Sequence, residues 1–546
     1  MGDRLELLET GVPGLDEVLG GGIPAYSVSV VCGPPGSGKT TLCQQIVFNQ
    51  AKRGRRGLYL TTLSEPALKM MRYQGRFSFF DPSLLGEAVI YADLGSVARE
   101  RGLQGVVEAV MEHLKEVSPA VVAIDSFKAL QDLSQSAAEF RRFTYELAVR
   151  LSTWECAAFL VGEYSPQDLE REPAFAIADG VIELSMEGTG MVRRRFLEVR
   201  KLRGLAPIPG KHAFEITPEG VVVYPRLRPP KEIEEGLSLE ERIGTGIPDL
   251  DAMLGGGLAK GSWTLVAGPA GTGKTVLCLH FAKEGIERGE PVVFCSLQEG
   301  REQLIEVALG FGWDFEGAER EGRLKFLCKA PAELDPEPLA SELISEVRSI
   351  GARRVVIDSI TEIGASVGEE SRLRDYLFGL FSALRREGAT VMVTQEVPEL
   401  FGVEIAAVGG ISYLSDNVIL LRYVEIQSRI TRAITVLKAR GSQHEKLLRE
   451  FRITPKGLEV LEPFSEYSGV VSGIPTLVRG EEWEGLSARE GAVLRALRRA
   501  GEASAEELEE RLSMPLSEVE GALAELASLG YILRFEKGGR VRYRAV

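Results

Sequence analysis

Two segments of this sequence place glycine, lysine and threonine in the order used to bind nucleotide phosphates. They are Gly33-Pro-Pro-Gly36-Ser37-Gly38-Lys39-Thr40-Thr41 and Gly268-Pro-Ala-Gly271-Thr272-Gly273-Lys274-Thr275. The glycines allow backbone N–H groups to surround the phosphates, the lysine reaches the β- and γ-phosphates, and the threonine after it binds Mg²⁺. A strand-like run precedes each segment and a helical pattern follows, so the positive end of a helix dipole adds to each site. The sequence therefore predicts two sites for ATP and Mg²⁺, and a glycine-rich turn without a ligand is the alternative.

Each loop is followed along the chain by an aspartate that could complete a Mg²⁺ site. Asp125 ends the run AVVAID and Asp358 ends the run RVVID, and both runs are typical of buried strands. Ligands of parallel sheets gather at the carboxyl ends of the strands, where these carboxylates would lie. We predict that Asp125 binds Mg²⁺ with Thr40, and Asp358 with Thr275. The alternative is that each aspartate only caps a helix.

A glutamate follows the second strand-like run of each copy. Glu65 comes after GLYLTTLS, and Glu299 comes after VVFCSLQ. Both are placed to orient a water molecule for attack on the γ-phosphate, which is work that a positioned carboxylate can do as a general base. We predict that Glu65 and Glu299 are catalytic, and exposed loop acids without a role are the alternative.

The two loops belong to an internal repeat. Lys39 and Lys274 are 235 positions apart, as are Asp16 and Asp251 in TGVPGLDEVLGGGIP and TGIPDLDAMLGGGLA. A period of this length indicates a duplicated domain, because solenoid repeats are only about 20 to 50 residues long. We therefore divide this part of the chain into a first domain, residues 1–228, and a second domain, residues 229–463.

Each copy alternates short apolar runs with longer helical patterns. The runs include SVSVV, GLYLTTL and AVVAID in the first copy, and WTLVA, PVVFCSL and RVVID in the second. Continuous apolar strands separated by helices predict an α/β fold, with a mostly parallel sheet covered by helices on both faces. Later segments, GVIELSME with RRFLEVRKLRG and NVILLRY with RAITVLKARG, predict antiparallel hairpins added to each sheet.

The pattern changes after the second copy. Residues 464–484 are predicted to be a linker, and residues 485–546 to form short helices and then a hairpin that turns at Gly538-Gly539. This order indicates a winged-helix-like domain. The helix that would enter a DNA groove, at 516–529, contains glutamates and neither lysine nor arginine, whereas the hairpin is basic. An unknown protein client is therefore favoured as its partner, and DNA is the alternative.

Composition limits the classes of function that the chain can have. The 546 residues are 44% hydrophobic and 26% charged, with 64 Lys and Arg against 79 Asp and Glu. The net charge of −15 gives no overall attraction to nucleic acid or to an acidic membrane. No apolar run reaches the roughly 18 residues of a membrane helix, and no signal peptide is visible, so a cytoplasmic location is expected. The six cysteines lack metal-ligand spacing and are expected to be reduced core residues.

The repeated motifs and the end of the second copy resemble the KaiC family of tandem RecA-like ATPases. The stretch DNVILLRYVEIQSRITRAITVLKARGSQHEKLLREFRITPKG follows the pattern of that family closely, and VVSGIPT is similar to the segment after its second domain. The resemblance implies two RecA-like P-loop NTPase domains. It also implies a double-ring homohexamer that binds ATP between neighbouring subunits.

The resemblance further implies residues that act across a subunit boundary. In the family, a K-x-R-G element reaches the phosphates bound by the next subunit. The corresponding residues here are Lys201 with Arg203, and Lys438 with Arg440, followed by the implied nucleotide-binding residues Ser442 and His444. Cations near the γ-phosphate would stabilise the charge of the phosphoryl-transfer transition state. Without the resemblance, these residues would be interpreted as a solvated basic hairpin.

The chain departs from the family pattern at two places that matter for chemistry. The resemblance places an autophosphorylated Ser–Thr pair at Ser412-Tyr413, where only the serine is retained. Two successive glutamates of the pattern are Ser64-Glu65 and Gln298-Glu299 here. A glutamine cannot accept a proton as a base, and general-base assistance contributes about 10²- to 10⁴-fold. Ser412 is therefore a candidate for weak autophosphorylation, whereas hydrolysis keeps one carboxylate in each site.

The sequence supports three hypotheses for function. The leading one is an ATP-hydrolysing homohexamer that acts as a nucleotide-driven signalling or regulatory protein. The alternative is a DNA-handling ATPase of the RecA type, anchored by its C-terminal domain, although the acidic balance of the chain argues against it. The third is a nucleotide-gated scaffold that hydrolyses almost no ATP.

Overall fold

The chain folds into two α/β units with the same strand order, followed by a small helical unit. The computed structural model describes residues 6–62, 72–165, 167–168, 172–189, 192–228, 238–397, 412, 414–426, 429–464, 467–468, 476–477, 486–512, 514–537 and 540–545. The sequence predictions for Glu65, for the neighbouring Ser64, for Tyr413 and for the turn at Gly538-Gly539 fall outside these residues.

The described part of the first unit has eleven strands, nine of which form one sheet. Its strands are β1 (Leu7–Leu8), β2 (Ile23–Pro24), β3 (Val28–Cys32), β4 (Gly57–Thr61), β5 (Val89–Asp93), β6 (Val121–Asp125), β7 (Ala157–Gly162), β8 (Gly180–Thr189), β9 (Val192–Leu202), β10 (Lys211–Thr217) and β11 (Gly220–Tyr224). β1 and β2 pair separately, and the others lie in the order β11-β10-β9-β8-β3-β7-β6-β4-β5. The six strands from β8 to β5 in this order are parallel, and β9, β10 and β11 continue the sheet in antiparallel pairs.

Helices cover both faces of this sheet. They are α1 (Leu15–Leu19), α2 (Lys39–Lys52), α3 (Gly95–Val117), α4 (Ala137–Ser152) and α5 (Pro173–Ile177), with 3₁₀ turns at Pro82–Leu84 and Phe127–Leu133. Every residue of β3 and of β4 is buried, as expected for parallel strands between two layers of helices. Leu42 and Phe48 of α2 pack on one face, and Val106 of α3 and Leu147 of α4 pack on the other.

The second unit repeats this architecture. Its strands are β12 (Ser238–Ile243), β13 (Leu258–Lys260), β14 (Trp263–Gly268), β15 (Val292–Ser296), β16 (Leu324–Cys328), β17 (Arg354–Asp358), β18 (Thr390–Glu396), β19 (Asn417–Ile426), β20 (Arg429–Ala439), β21 (Arg449–Thr454) and β22 (Gly457–Pro463). Its helices are α6 (Pro248–Met253), α7 (Lys274–Glu287), α8 (Arg301–Gly310), α9 (Phe315–Arg320), α10 (Pro336–Ile350), α11 (Ile360–Val367) and α12 (Glu370–Arg386), with a 3₁₀ turn at Pro331–Glu333. The nine-stranded sheet has the order β16-β15-β17-β18-β14-β19-β20-β21-β22. The two sheets confirm the predicted tandem α/β fold, including the antiparallel hairpins β8–β9 and β19–β20.

A side chain of the first unit joins the two units. Arg194, on β9, donates hydrogen bonds to the carbonyl oxygens of Leu334 at 2.7 Å and Ser366 at 3.0 Å, both in the second unit. The carboxylate of Asp335 lies 3.8 Å from the same guanidinium, and burial raises the pKa of Asp335 to about 6. The extended β8–β9 hairpin is therefore held against the second unit close to α10 and α11.

The C-terminal part has a separate core. Its elements are β23 (Tyr467–Ser468), β24 (Thr476–Leu477), α13 (Ala488–Ala500), α14 (Ala505–Leu512), α15 (Leu516–Ser528), β25 (Ile532–Lys537) and β26 (Arg540–Ala545). Ser487 and Glu490 form a capping box that starts α13. Leu497, Leu508 and Leu523, one from each helix, are fully buried together. Of the helices within the described ranges, none is both long and apolar enough to cross a membrane.

Candidate functional site

The first phosphate-binding loop connects β3 to α2 at the carboxyl edge of the sheet. Gly36 and Gly38 have φ values of 74° and 99°, which glycine adopts more readily than any other residue. The space at Gly38 is also closed, because a Cβ there would lie 2.9 Å from Ile216 Cδ1. Lys39 Nζ donates to the carbonyl oxygens of Gly33 at 3.0 Å and of Pro34 at 2.8 Å, so its ammonium group lies over the loop.

The second loop, between β14 and α7, has the same conformation. Gly271 and Gly273 have φ values of 74° and 106°. Lys274 Nζ donates to the carbonyl oxygens of Gly268 and Pro269, both at 2.9 Å. Both loops therefore direct their lysine and the N-terminus of a long helix at the same point, which is the arrangement that binds phosphate.

A threonine and an aspartate meet beside each loop, as the sequence predicts. Thr40 Oγ1 donates to Asp125 Oδ2 at 2.7 Å, and Thr275 Oγ1 donates to Asp358 Oδ2 at the same distance. Asp125 also accepts a hydrogen bond of 2.6 Å from the Tyr59 hydroxyl. One hydroxyl and one carboxylate fit Mg²⁺, which in nucleotide sites takes few protein oxygens and completes its shell with phosphates and water. Within the described ranges, no cluster of three or more His, Cys, Asp and Glu side chains suggests another metal centre.

A cavity of about 780 Å³ opens beside the first loop. It is lined by Gly36, Gly38, Lys39, Thr40, Thr41, Asp125, Ser126, Lys128, Ala129, Asp132, Gly162, Glu163 and Ile216. The predicted loop residues and the predicted metal ligand therefore share one space that is large enough for a nucleotide, since small-molecule sites typically occupy about 300 to 1,000 Å³.

Two acidic residues at the sites were missed by sequence reasoning. Glu163 follows β7 and its Oε1 lies 3.9 Å from Lys39 Nζ, while Glu396 ends β18 in register with Gly268. Burial lowers the pKa of Lys274, and the charges of Glu396 and Asp358 oppose that shift. In the sequence each acid ends a strand-like run, residues 156–163 and 389–396, but only the sheet order shows that β7 and β18 lie next to the loop-bearing strands.

Glu299 is a partly buried carboxylate just past β15. Its backbone N–H donates to Ser296 Oγ at 3.0 Å, which fixes the residue just past β15. Its side chain is half-buried, and Oε2 has no hydrogen-bond partner in the described part of the chain. Burial, and then the nearby charge of Asp358, raises the pKa of Glu299 above the ordinary value. The carboxylate is therefore partly desolvated and lies close enough to the predicted metal ligand to feel its charge.

Lys201 and Arg203 lie at the amino-terminal ends of the parallel strands, whereas the loop of their own domain lies at the carboxyl-terminal ends. Leu202 pairs with Gly180, and Gly180 pairs with Ser29, whereas the phosphate loop begins after Cys32. With about 3.3 Å of rise per residue, this is a separation of about 10 Å along the strands, in addition to two strand spacings. The structure therefore does not bring these two cations to the nucleotide site of their own domain.

The equivalent cations of the second domain are placed in the same way. Lys438 Nζ donates to the carbonyl oxygen of Ser415 at 2.6 Å, and Arg440 forms an ion pair of 3.2 Å with Asp416, just before β19. Burial lowers the pKa of Lys438, and the charge of Arg440 lowers it further. The nearby loop holds Ser442, whose hydroxyl donates to the carbonyl oxygen of Leu254, the residue that follows α6.

Ser412 and His444 lie on this same edge. The carbonyl oxygen of Ser412 accepts hydrogen bonds from Ser415 Oγ at 2.7 Å and from Lys438 Nζ at 3.4 Å. Asn417, five residues later, pairs with Thr264 near the start of β14, whereas the loop follows the end of β14. His444 lies in the loop between β20 and β21. Like the cations, the candidate phosphosite is remote from the second loop of its own chain.

Comparison with known families adds a finding that covers both α/β units. A sequence profile of the family described as "ATPase: KaiC" matches residues 8–228 and again residues 243–465. Each matched range contains one phosphate loop. The first ends just after β11, and the second ends just after β22. The C-terminal helices and hairpin lie beyond them.

Individual proteins with similar sequences match most of the chain. The circadian clock oscillator protein KaiC of Picosynechococcus sp. is 30% identical, and the match covers 88% of this chain and 95% of that protein. The circadian clock protein KaiC3 of Synechocystis sp. is 30% identical over 89% of this chain and 97% of its own length. The circadian clock oscillator protein KaiC of Thermosynechococcus vestitus is also 30% identical, over 88% and 93%.

Proposed function

The chain belongs to the KaiC family of P-loop ATPases, and from that premise we propose that it binds Mg²⁺·ATP at one site in each domain and hydrolyses it. The observation that carries this proposal is the repeated geometry of the two loops. In both, the lysine ammonium group lies within 3.0 Å of two loop carbonyls, and the threonine lies 2.7 Å from the aspartate. Release of phosphate from Mg²⁺·ATP by the purified protein tests the proposal.

The residues of each site divide the work of phosphoryl transfer. Lys39 and Lys274 bind the β- and γ-phosphates, and the threonine–aspartate pairs hold Mg²⁺. Mg²⁺, when bound there, neutralises charge that develops on the phosphate oxygens. In the second domain Glu299 orients the attacking water and takes its proton, and we propose the same role for Glu65 in the first.

We propose that the active form is a homohexamer with nucleotide between neighbouring chains. The placement of Lys201, Arg203, Lys438 and Arg440 supports this, because each pair lies on the edge of the sheet away from its own loop. In an assembly, these cations would instead approach the γ-phosphate of the nucleotide bound by a neighbouring chain. Ser442 and His444 belong to the same edge, and we propose that they contact the neighbour's nucleotide.

The pH dependence of turnover tests the role of Glu299. The base must be ionised to accept a proton, and its pKa is raised by burial. Turnover by the second site should therefore fall on acidification at a pH above the ordinary glutamate value of about 4.3. Steady-state phosphate release is measured from pH 4.5 to 9 or so in a Lys39→Ala protein, which isolates the second site.

In that background, Glu299→Gln should lower turnover by about 100-fold, because it removes the base. The matched control is Glu302→Gln, an exposed position on α8 that should leave the rate unchanged. If Glu299→Gln kept the full rate, and if its turnover fell on acidification at the same pH as in the Lys39→Ala protein, Glu299 would not be the base.

We propose that residues 485–546 are a winged-helix-like module that binds a protein client rather than DNA. Arg542 is paired with Glu507 at 2.7 Å, and Arg544 with Glu502 at 3.2 Å, so two of the hairpin's cations are paired with acids of the same module. Only an unneutralised basic surface would bind phosphate backbones strongly. We expect no shift of duplex DNA by the intact protein at about 0.15 M salt in a gel assay. A shift that Arg534→Glu abolishes would instead assign the hairpin to DNA.

We also propose that Ser412 is phosphorylated weakly and only by a neighbouring chain. Its position beside the start of β19 separates it from its own second loop, and Gln298 stands where the family pattern has the first of two glutamates. Peptide mass spectrometry after incubation with Mg²⁺·ATP should find phosphate on a minor fraction of Ser412. The Lys274→Ala protein should have none. Phosphate on Ser412 in that variant would exclude the second site as its source.

A further inference from the structure

The second nucleotide site contains a carboxylate whose two oxygens are both fixed by hydrogen bonds. Glu362 lies in the first turn of α11. Its Oε1 accepts from Gln298 Nε2 at 2.6 Å, and its Oε2 accepts from Ser359 Oγ at 2.6 Å. The side chain is partly buried. A carboxylate held at both oxygens has a defined position, and it fixes the donors that it holds.

These contacts connect the two strand ends that carry the proposed chemistry. Gln298 immediately precedes Glu299 after β15, and Ser359 immediately follows Asp358 at the end of β17. Thr361, also in the first turn of α11, contacts a third strand end. Its Oγ1 accepts a hydrogen bond from the backbone N–H of Glu396 at 2.9 Å. The first turn of α11 therefore spans the ends of β15, β17 and β18.

Glu362 is also within electrostatic reach of the phosphate-binding lysine. Burial lowers the pKa of Lys274, and the charges of Glu396, Asp358 and Glu362 are among those that oppose this shift. The carboxylate lies beside the second nucleotide site, because its hydrogen bonds reach the chain neighbours of Glu299 and Asp358. Its contacts, however, are with Gln298 and Ser359, which makes it a group that acts through its neighbours.

The charge of Glu362 fixes which way the Gln298 amide faces. A carboxylate only accepts hydrogen bonds, so the NH₂ of Gln298 must face it, and the amide oxygen remains available as an acceptor on the other side. In phosphoryl transfer, a glutamine amide with an available oxygen can orient the attacking water. Beside it, Glu299 Oε2 has no hydrogen-bond partner within the described ranges and can take a proton.

The first domain is built differently at this point. Ser126 follows Asp125 as Ser359 follows Asp358, but the third residue after the serine is Ala129 instead of Glu362. Ala129 lies in a 3₁₀ turn and lines the first nucleotide cavity. A methyl group there cannot hold an amide, so the device belongs to the second site alone.

We propose that Glu362 is a positioning residue of the second site, which holds Gln298 so that its amide oxygen orients the nucleophile for attack on ATP. This inference rests on the proposed function. The water oxygen forms a bond to the γ-phosphorus, the bond from that phosphorus to the bridging oxygen breaks, and ADP leaves with the electron pair. The proton of the water passes to Glu299. Gln298 accepts a hydrogen bond from the water and exchanges no proton.

The test uses the full-length protein with Lys39→Ala, so that only the second site turns over. Adding Glu362→Ala should lower kcat about tenfold with KM and the affinity for a fluorescent ATP analogue changed less than about twofold. Glu362→Gln should recover only part of the rate, because its amide oxygen can accept from Gln298 but its NH₂ can also bind the flipped amide. Glu370→Ala, an exposed glutamate at the start of α12, is the matched control and should be unaffected.

A double-mutant cycle separates positioning from a structural role. Gln298→Ala should lower kcat by a similar factor, and Glu362→Ala should then add little, because both changes remove one function. Additive losses, an unchanged kcat in Glu362→Ala, or no recovery in Glu362→Gln at an unchanged thermal midpoint would overturn the inference. Failure of the Lys39→Ala protein to bind ATP at all would overturn the proposed function, and this inference with it.

Discussion

Replacing Lys39 and Lys274 together by alanine is expected to abolish ATP binding and hydrolysis. Each ammonium group lies over its own loop and is desolvated by burial, which strengthens its attraction for phosphate. Each single variant should lose binding at its own domain and keep the other site. The measurements are equilibrium titration with a fluorescent ATP analogue and steady-state phosphate release, where the double variant should fall at least about 1,000-fold.

The control for this experiment is Lys52→Ala. Lys52 ends the same helix, α2, that Lys39 begins, and its Nζ donates a hydrogen bond to the carbonyl oxygen of Ser78 at 3.2 Å. Its loss removes an equal charge without touching the loop. Full turnover in the double variant, or an equal loss in the control, would contradict the assignment of the two loops as phosphate sites.

The second large effect is expected from Lys438→Ala combined with Arg440→Ala. These changes should lower the second domain's turnover by about 1,000-fold while leaving ATP bound, because cations supplied by a neighbour act mainly on the transition state. The measurement is again phosphate release in the Lys39→Ala background. Arg452→Ala, an exposed arginine on β21 paired with Glu450, is the matched control.

Mixing two inactive proteins tests whether the cations act on a neighbour. One protein carries Lys39→Ala with Lys274→Ala and keeps its own Lys438 and Arg440. The other carries Lys39→Ala with the changes at Lys438 and Arg440 and keeps its second loop. Mixed assemblies should recover part of the second-site activity, because an intact loop then meets intact cations across a boundary. Absence of any recovery after subunit exchange would place the cations in the site of their own chain.

The phosphate loops and the fold could be predicted from the sequence because their signals are local. The glycines at 36, 38, 271 and 273 sit where the backbone needs positive φ, and the apolar runs are long enough to identify buried parallel strands. The predicted pairing of Thr40 with Asp125 followed from one general fact, that parallel strands present their carboxyl ends at one edge.

Other parts of the sites depend on contacts that no local pattern contains. Glu163 directly follows a strand, as many acids do, and only the adjacency of β7 to β3 brings it to Lys39. Gln298 and Glu362 are 64 positions apart, and their hydrogen bond exists because α11 begins where β15 ends. The sequence also could not show on which edge Lys201 lies, since that depends on the register of β8 with β3.

The ion pairs of the C-terminal hairpin change the interpretation of its basic sequence. Its arginines read as a basic surface in the sequence, but Arg542 and Arg544 are paired with Glu502 and Glu507 from the preceding helical segment. Charge in a sequence is additive, whereas charge at a surface depends on which partners folding brings together. This difference moves the proposal further from DNA and towards a protein client.

Native mass spectrometry of the intact protein with Mg²⁺·ATP tests the central claim most directly, because one spectrum gives both the assembly and its bound nucleotides. The proposed function predicts a homohexamer with two nucleotides on each chain, reduced to one on each chain by either Lys39→Ala or Lys274→Ala. A monomer that carries its nucleotides and hydrolyses ATP at the full rate would contradict sites completed by a neighbouring chain.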